Sequence, residues 1–213
     1  MSPSDSRPHG LLTLGADPRR ARAAVVLVHG RGASPEAIAG LTRRLPQEEI
    51  AYLAPGAPDG VWYPHRFLTP RAENEPSLSR GLARIADVVA GLIAGGVPQE
   101  RIGLVGFSQG ACLALEHVLQ APGRYGFVAG LSGAMIGPMD EVRAPVDLRG
   151  TPALIACAEQ DAHIPREYVE ATALRFRASG AEVTHLTFTG DHHGVFPEEV
   201  TWLQQHVAAL ARR

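Results

Sequence analysis

Short apolar runs alternate with helix-compatible stretches from one end of this chain to the other, and no other feature limits its fold as tightly. Ala24–Val28, Ile50–Ala54, Arg101–Val105, Phe127–Leu131, Ala153–Ala158 and Val183–Phe188 are of strand length and largely apolar. Ser77–Ala94 repeats Leu78, Leu82, Ile85, Val88, Val89 and Leu92 at helical spacing and stops at Gly95-Gly96. Ser34-Pro35-Glu36 opens another helix, with a serine N-cap and proline at the first helical position, that runs to about Leu45. Ser108–Leu119, Arg166–Ala178 and Pro197–Ala211 read as further helices. Strands that are apolar throughout need cover on both faces. The order therefore predicts an α/β fold: a mostly parallel central sheet with helices on both sides. In such sheets ligands bind outside the carboxyl ends of the strands, so chemistry is sought just after them.

Gly106-Phe107-Ser108-Gln109-Gly110 follows the strand Arg101–Val105 directly and opens a helix. A serine on so tight a strand-to-helix turn needs strained backbone angles, and it stands at a helix N-terminus, where exposed N–H groups favour negative charge. Side chains at Gly106 or Gly110 would meet the neighbouring strand or helix. The context makes Ser108 a candidate nucleophile and not an incidental serine in a Gly-rich turn. A serine hydroxyl needs an adjacent base, which in such sheets follows an acid in the chain. Asp161, just past Ala153–Ala158, is the candidate acid; Glu159 is a rival so close to the strand end that its reach is short, and Asp140 and Asp147 follow no comparable strand. The base belongs after the last strand, where His192 and His193 are adjacent and the sequence alone leaves both open. Elsewhere His29 and His163 read as loop or surface residues. Donors for a developing oxyanion are expected at the backbone N–H of Gln109 and in the loop Val28-His29-Gly30-Arg31-Gly32, at the N–H of Arg31.

Residues 55 to 77 form a long Pro- and Gly-rich stretch that nevertheless holds Trp62, Tyr63, His65 and Phe67. Such a stretch is either a pocket wall or a surface loop pinned by aromatic anchors. Trp62, Tyr63, Phe67, Met135 and Ile164 are the candidates for lining an apolar substrate pocket, and each is equally compatible with core packing. Arg31 faces either an anionic group or solvent.

Several classes of protein are disfavoured. A net charge of -2 without blocks of like charge argues against a nucleic-acid or membrane surface. No apolar run reaches the ~18 residues of a membrane helix. The two cysteines, Cys112 and Cys157, make no CxxC pattern, so neither a metal nor a redox cofactor is expected, and each packs as a small hydrophobe. The polar start lacks the apolar core of a secretory signal, and a cytoplasmic location is the expectation. The length fits one domain over residues 1–213, with 1–10 as a flexible tail. Oligomeric state is open, a homodimer being one option.

From about Ala24 onward the chain resembles the phospholipase/carboxylesterase family, which includes acyl-protein thioesterases and small bacterial esterases. The resemblance rests on Val28-His29-Gly30-Arg31-Gly32-Ala33-Ser34, Ala54-Pro55, Trp62-Tyr63, the Ser108 pentapeptide, Leu131-Ser132-Gly133 and Asp161-Ala162-His163-Ile164-Pro165. Trp62-Tyr63-Pro64 with Asn74-Glu75-Pro76 is most like the bacterial predicted-esterase branch. The resemblance implies an α/β-hydrolase fold without a large cap domain. It also implies a cofactor-free Ser-Asp-His hydrolase of small-molecule esters or thioesters. Where the family has Gly-x-Gly-His, this chain has Gly190-Asp191-His192-His193, and that alignment assigns the base to His193. Two alternatives stand beside this reading. A dienelactone- or aromatic-pathway hydrolase is compatible with His193-Gly194-Val195-Phe196, although those enzymes usually carry Cys where this chain has Ser108. A non-catalytic binding protein on the same fold would usually have lost one of the three residues.

Overall fold

The strands split their side chains between two faces, and this decides where every helix goes. In β2 (Ala23–Val28), Ala24, Val26 and Val28 belong to one buried cluster and Ala23, Val25 and Leu27 to another. The same division runs through β3 (Ile50–Pro55), β4 (Ile102–Phe107), β5 (Phe127–Leu131) and β6 (Pro152–Ala158). Both clusters are sealed by helices. On the first face lie α2 (Ser77–Ala94), α3 (Gln109–Gln120) and α4 (Arg166–Ala178); on the second lie α1 (Pro35–Ala39) and α5 (Pro197–Arg212). Each fully buried side chain such as Phe176 or Leu203 contributes roughly 1.5–3 kcal/mol over its exposed state.

This computed structural model describes residues 10–46 and 48–212. With β1 (Leu11–Gly15) and β7 (Glu182–Phe188), the strands form one seven-stranded sheet in the order β1-β3-β2-β4-β5-β6-β7. All neighbours are parallel except β1, which runs antiparallel to β3 with Leu11 opposite Pro55 and Gly15 opposite Ala51. Strand order reverses between β2 and β4, so the crevice at a topological switch point falls between their carboxyl ends. Those ends carry His29-Gly30-Arg31 and Ser108.

The predicted elements are all present, with two differences. The helix expected from Ser34 to Leu45 is α-helical only over Pro35–Ala39 and tightens to a 3-10 turn over Gly40–Arg44, beginning at a residue of low helix propensity. Its Ser34 Oγ accepts from the Ala37 N–H at 3.4 Å. The edge strand β1 has no counterpart in the sequence reading. Apart from Gly10, the tail expected over 1–10 lies outside the described residues; the Gly10 carbonyl accepts from the Gly56 N–H at 3.0 Å. The helix α2 ends where expected, with Gly96 in the left-handed region at φ 98. Among the described residues, no helix is long and apolar enough to cross a membrane.

Candidate active site

Ser108 sits at the corner between β4 and α3 with φ 52 and ψ -120, a conformation that side chains avoid. Its N–H donates to the Leu131 carbonyl of β5 at 2.9 Å. Close packing on both sides explains the flanking glycines. A Cβ at Gly106 would run into the Gly110 carbonyl, and a Cβ at Gly110 would run into the carbonyls of Val28 and His29. The helix is thus pressed onto the end of β2, and the corner is held rigid by its neighbours.

The turn after β7 brings His193 over this corner. His193 Nε2 lies 2.9 Å from Ser108 Oγ, and Nδ1 lies 2.7 Å from Asp161 Oδ2. Asp161 stands on the loop after β6 with its side chain fully buried. Its other oxygen accepts from the N–H groups of His163 (2.8 Å) and Ile164 (3.1 Å), and the Cys157 thiol donates to Oδ2 at 3.3 Å. Burial is the largest single influence and acts to raise the carboxyl's pKa. The hydrogen bonds from His193, the His163 amide and Cys157, with the charge of His193, outweigh it and hold the group below its ordinary value. Asp161 is therefore a carboxylate facing a ring N–H, which fixes the His193 tautomer with its free Nε2 toward Ser108.

The rivals point elsewhere. His192 is exposed and its ring meets Phe196 at 5.6 Å between centroids; Glu159 is exposed at the strand end. Ser132 Oγ donates to the Gly194 carbonyl at 3.1 Å, tying the His193 turn to the end of β5. Phe107 packs on the His193 ring at 5.1 Å and His163 stands edge-on to it at 4.9 Å. His163 is thus a residue of the site and not merely of the surface. These supports were not singled out from sequence. All three stand in motifs at strand ends, and that placement was the signal available for them.

A cleft of about 660 Å³ opens above Ser108. Of the candidates for a pocket lining, Tyr63, Phe67 and Ile164 line it; Trp62 and Met135 do not. Trp62 is buried beneath the cleft wall, donating from Nε1 to the His29 carbonyl (2.9 Å) and from its backbone N–H to Gln109 Oε1 (3.0 Å). It is an anchor, because an indole N–H in a buried position needs an acceptor and finds one under the loop. Met135 faces elsewhere: its N–H donates to Thr172 Oγ1 of α4 at 3.0 Å, and it lines a separate recess with Tyr168 and Arg175. His29 also departs from expectation. It is buried, with Nδ1 donating to the Gly30 carbonyl (2.8 Å) and Nε2 accepting from the Ala57 N–H (3.1 Å), and burial pulls its pKa down.

Arg31 is exposed to solvent, as one of its two expectations had it, but its side chain is also bound to the neighbouring loop. Its guanidinium donates to the carbonyls of Tyr63 (2.8 Å), Pro64 (3.0 Å) and His65 (2.7 Å). Gln109 does the same from below, with Nε2 donating to the Tyr63 carbonyl at 2.8 Å. The cleft wall at residues 62–65 is therefore slung between the side chains of Arg31 and Gln109. Gln109 is the first residue of α3, whose N–H has no intrahelical acceptor. The loop bearing Arg31 runs beside the nucleophile: a Cβ at Gly30 would lie 3.4 Å from the Ser108 Cβ.

The His193 turn is fastened at its far end by Glu199, which is fully buried in the first turn of α5. Glu199 Oε2 accepts from the Phe196 N–H at 2.6 Å, and Phe196 stacks on Phe188 at 3.9 Å. Oε1 finds no partner among the described residues. Burial pushes this carboxyl up to about 7, against the Phe196 hydrogen bond and with help from Glu198. A carboxyl whose pKa is higher folded than unfolded favours the fold fully below the unfolded value of 4.5, and that contribution is lost as pH rises to about 7. Glu199→Gln removes the titration. Relative to wild type, the variant should gain stability on the order of 3 kcal/mol between pH 4.5 and 7.5, read by denaturant unfolding at both values. An unchanged difference between the two pH values would contradict the assignment.

A seven-stranded sheet with a serine on a strand–turn–helix corner at its switch point is the architecture of an α/β-hydrolase. The solved structure of a phospholipase/carboxylesterase from Dyadobacter fermentans superposes with a TM-score of 0.89 at 32% identity, over 94% of this chain and 97% of that one. The chain belongs to the phospholipase/carboxylesterase family, whose model matches residues 13–211. Acyl-protein thioesterase 1 of Gibberella zeae is 26% identical over 202 residues, 84% of this chain and 86% of that protein. A carboxylesterase from Mesorhizobium loti shares the fold, with a TM-score of 0.69 at 23% identity over 88% and 89% of the two chains.

Proposed function

We propose that this protein hydrolyses carboxylic esters or thioesters of small molecules through a Ser108–His193–Asp161 triad and an acyl-enzyme. The observation that carries the reading is the unbroken hydrogen-bond relay from Asp161 Oδ2 through His193 (2.7 Å) to Ser108 Oγ (2.9 Å) at the floor of an open cleft. His193 takes the Ser108 proton as Oγ attacks the acyl carbonyl, and Asp161 orients the ring and stabilises its cationic form. The backbone N–H groups of Arg31 and Gln109 receive the oxyanion. His193 then passes its proton to the departing alcohol or thiol. In the second half it activates water, which releases the acid and restores Ser108. Tyr63, Phe67 and Ile164 supply the apolar walls against which the substrate lies.

Covalent labelling tests the reading directly. A fluorophosphonate should add its phosphonyl mass to the tryptic peptide containing Ser108 and to no other, within minutes at micromolar concentration. Absence of that adduct, with the protein folded, would overturn the assignment.

A further inference from the structure

The cleft is one-sided in charge. Among the described residues lining it are Arg31, His65, Arg66, His163 and His193, and none is acidic. Asp161 lies beneath, its side chain fully buried and committed to His193. The Arg31 guanidinium is engaged by three carbonyls. Arg66 is different. Like Arg31 it is exposed at the cleft wall, but its side chain makes a single hydrogen bond among the described residues, from Nη2 to the His163 carbonyl at 3.1 Å. The other N–H groups of its fork are left for a ligand.

The backbone at Arg66 is also firmly built. Its carbonyl accepts from Asn74 Nδ2 (3.1 Å) and Thr69 Oγ1 (2.9 Å), and Asn74, fully buried, takes the His65 N–H on its Oδ1 (2.8 Å). An arginine fixed at its root and tethered at its tip loses little further entropy on gripping a carboxylate in bidentate fashion. Its place relative to the chemistry follows from the ring contacts. Arg66 is bound to His163, and His163 stands edge-on to His193 at 4.9 Å. The proton for the leaving group comes from His193, so the departing half of the substrate lies on that side.

We infer that the natural substrate carries a carboxylate on its alcohol half, and that Arg66 binds it. This rests on the hydrolase reading above and adds no chemical step to it: the ester and water still give an acid and an alcohol.

The test compares 3-acetoxybenzoate with its neutral methyl ester, each rate divided by its own hydroxide-catalysed rate. Wild-type kcat/KM should favour the anion at least tenfold, and the preference should fall severalfold in 0.5 M NaCl. Arg66→Gln should reduce the ratio to about one, and Arg66→Lys should keep part of it, since a point charge replaces the fork. A wild-type ratio near or below one, or a ratio untouched by Arg66→Gln, would overturn the proposal. So would a preference shown only for an anion in the acyl half, read with mono-p-nitrophenyl adipate. Calorimetry separates this from catalysis. 3-Acetoxybenzoate should bind the Ser108→Ala protein at least fivefold more tightly than the Ser108→Ala/Arg66→Gln protein. If no ester is turned over and Ser108 takes no label, the hydrolase reading fails, while the binding difference still decides the role of Arg66.

Discussion

Ser108→Ala should lower kcat/KM on an acyl ester by at least about a thousandfold, because nucleophile, base and acid act as a unit and what survives is assistance from the oxyanion donors alone. The corner itself supplies a control against trivial unfolding. With φ 52 and ψ -120, position 108 lies where glycine is at ease and other residues are strained. Ser108→Gly should be as inactive as the alanine variant and yet more stable than wild type by about 1 kcal/mol, the relief of strain exceeding the added backbone entropy. Paired melting curves and progress curves read both effects. An alanine variant with a substantial fraction of wild-type turnover would remove Ser108 from the mechanism.

The second large effect separates two adjacent histidines. His193→Ala should cost about 10³–10⁴ in kcat. His192→Ala should change kcat by less than about threefold, because that ring is exposed and meets Phe196, not Ser108. Both variants leave Ser132 Oγ on the Gly194 carbonyl, so the turn keeps its anchor and the comparison reads chemistry. If His192→Ala proved the crippling change, the geometry at the site would have been misassigned.

What could be read from the residues divides along physical lines. Buried parallel strands announce themselves as continuous apolar runs, and chemistry in this architecture sits at their ends. Ser108 and Asp161 followed from that, and the strand–helix corner was legible from its two glycines. The edge strand β1 was not: Leu11–Gly15 is only partly buried, pairs through one side, and carries too little pattern to stand out. Residue physics alone left the two histidines open, and only the family alignment chose His193, because a turn residue's direction depends on partners far along the chain, here Asp161 and the Gly194–Ser132 bond. Trp62 and Met135 illustrate the same limit. An apolar residue in a loop is drawn equally to pocket and to core, and only the placement of His29, Gln109 and Thr172 decides. The Arg31 side chain was invisible for a further reason, since its acceptors are backbone carbonyls that no residue type reveals.

The suspension of residues 62–65 from Arg31 and Gln109 bears on how such a cleft can diversify. The segment has no helix or strand of its own between the short turns at Pro58–Gly60 and Arg71–Asn74. Its shape is borrowed from two side chains whose main chains flank the nucleophile. A change in the length or path of that wall therefore pulls on the scaffold around Ser108, and a change at Arg31 or Gln109 lets the wall drift. Substrate range and reactivity are inherited together here. Because Arg31 and Gln109 hold main-chain atoms of the segment, a library that varies the side chains at 63–65 while holding Arg31 and Gln109 constant keeps the sling and can reach new specificities, whereas one that also varies those two positions releases the wall.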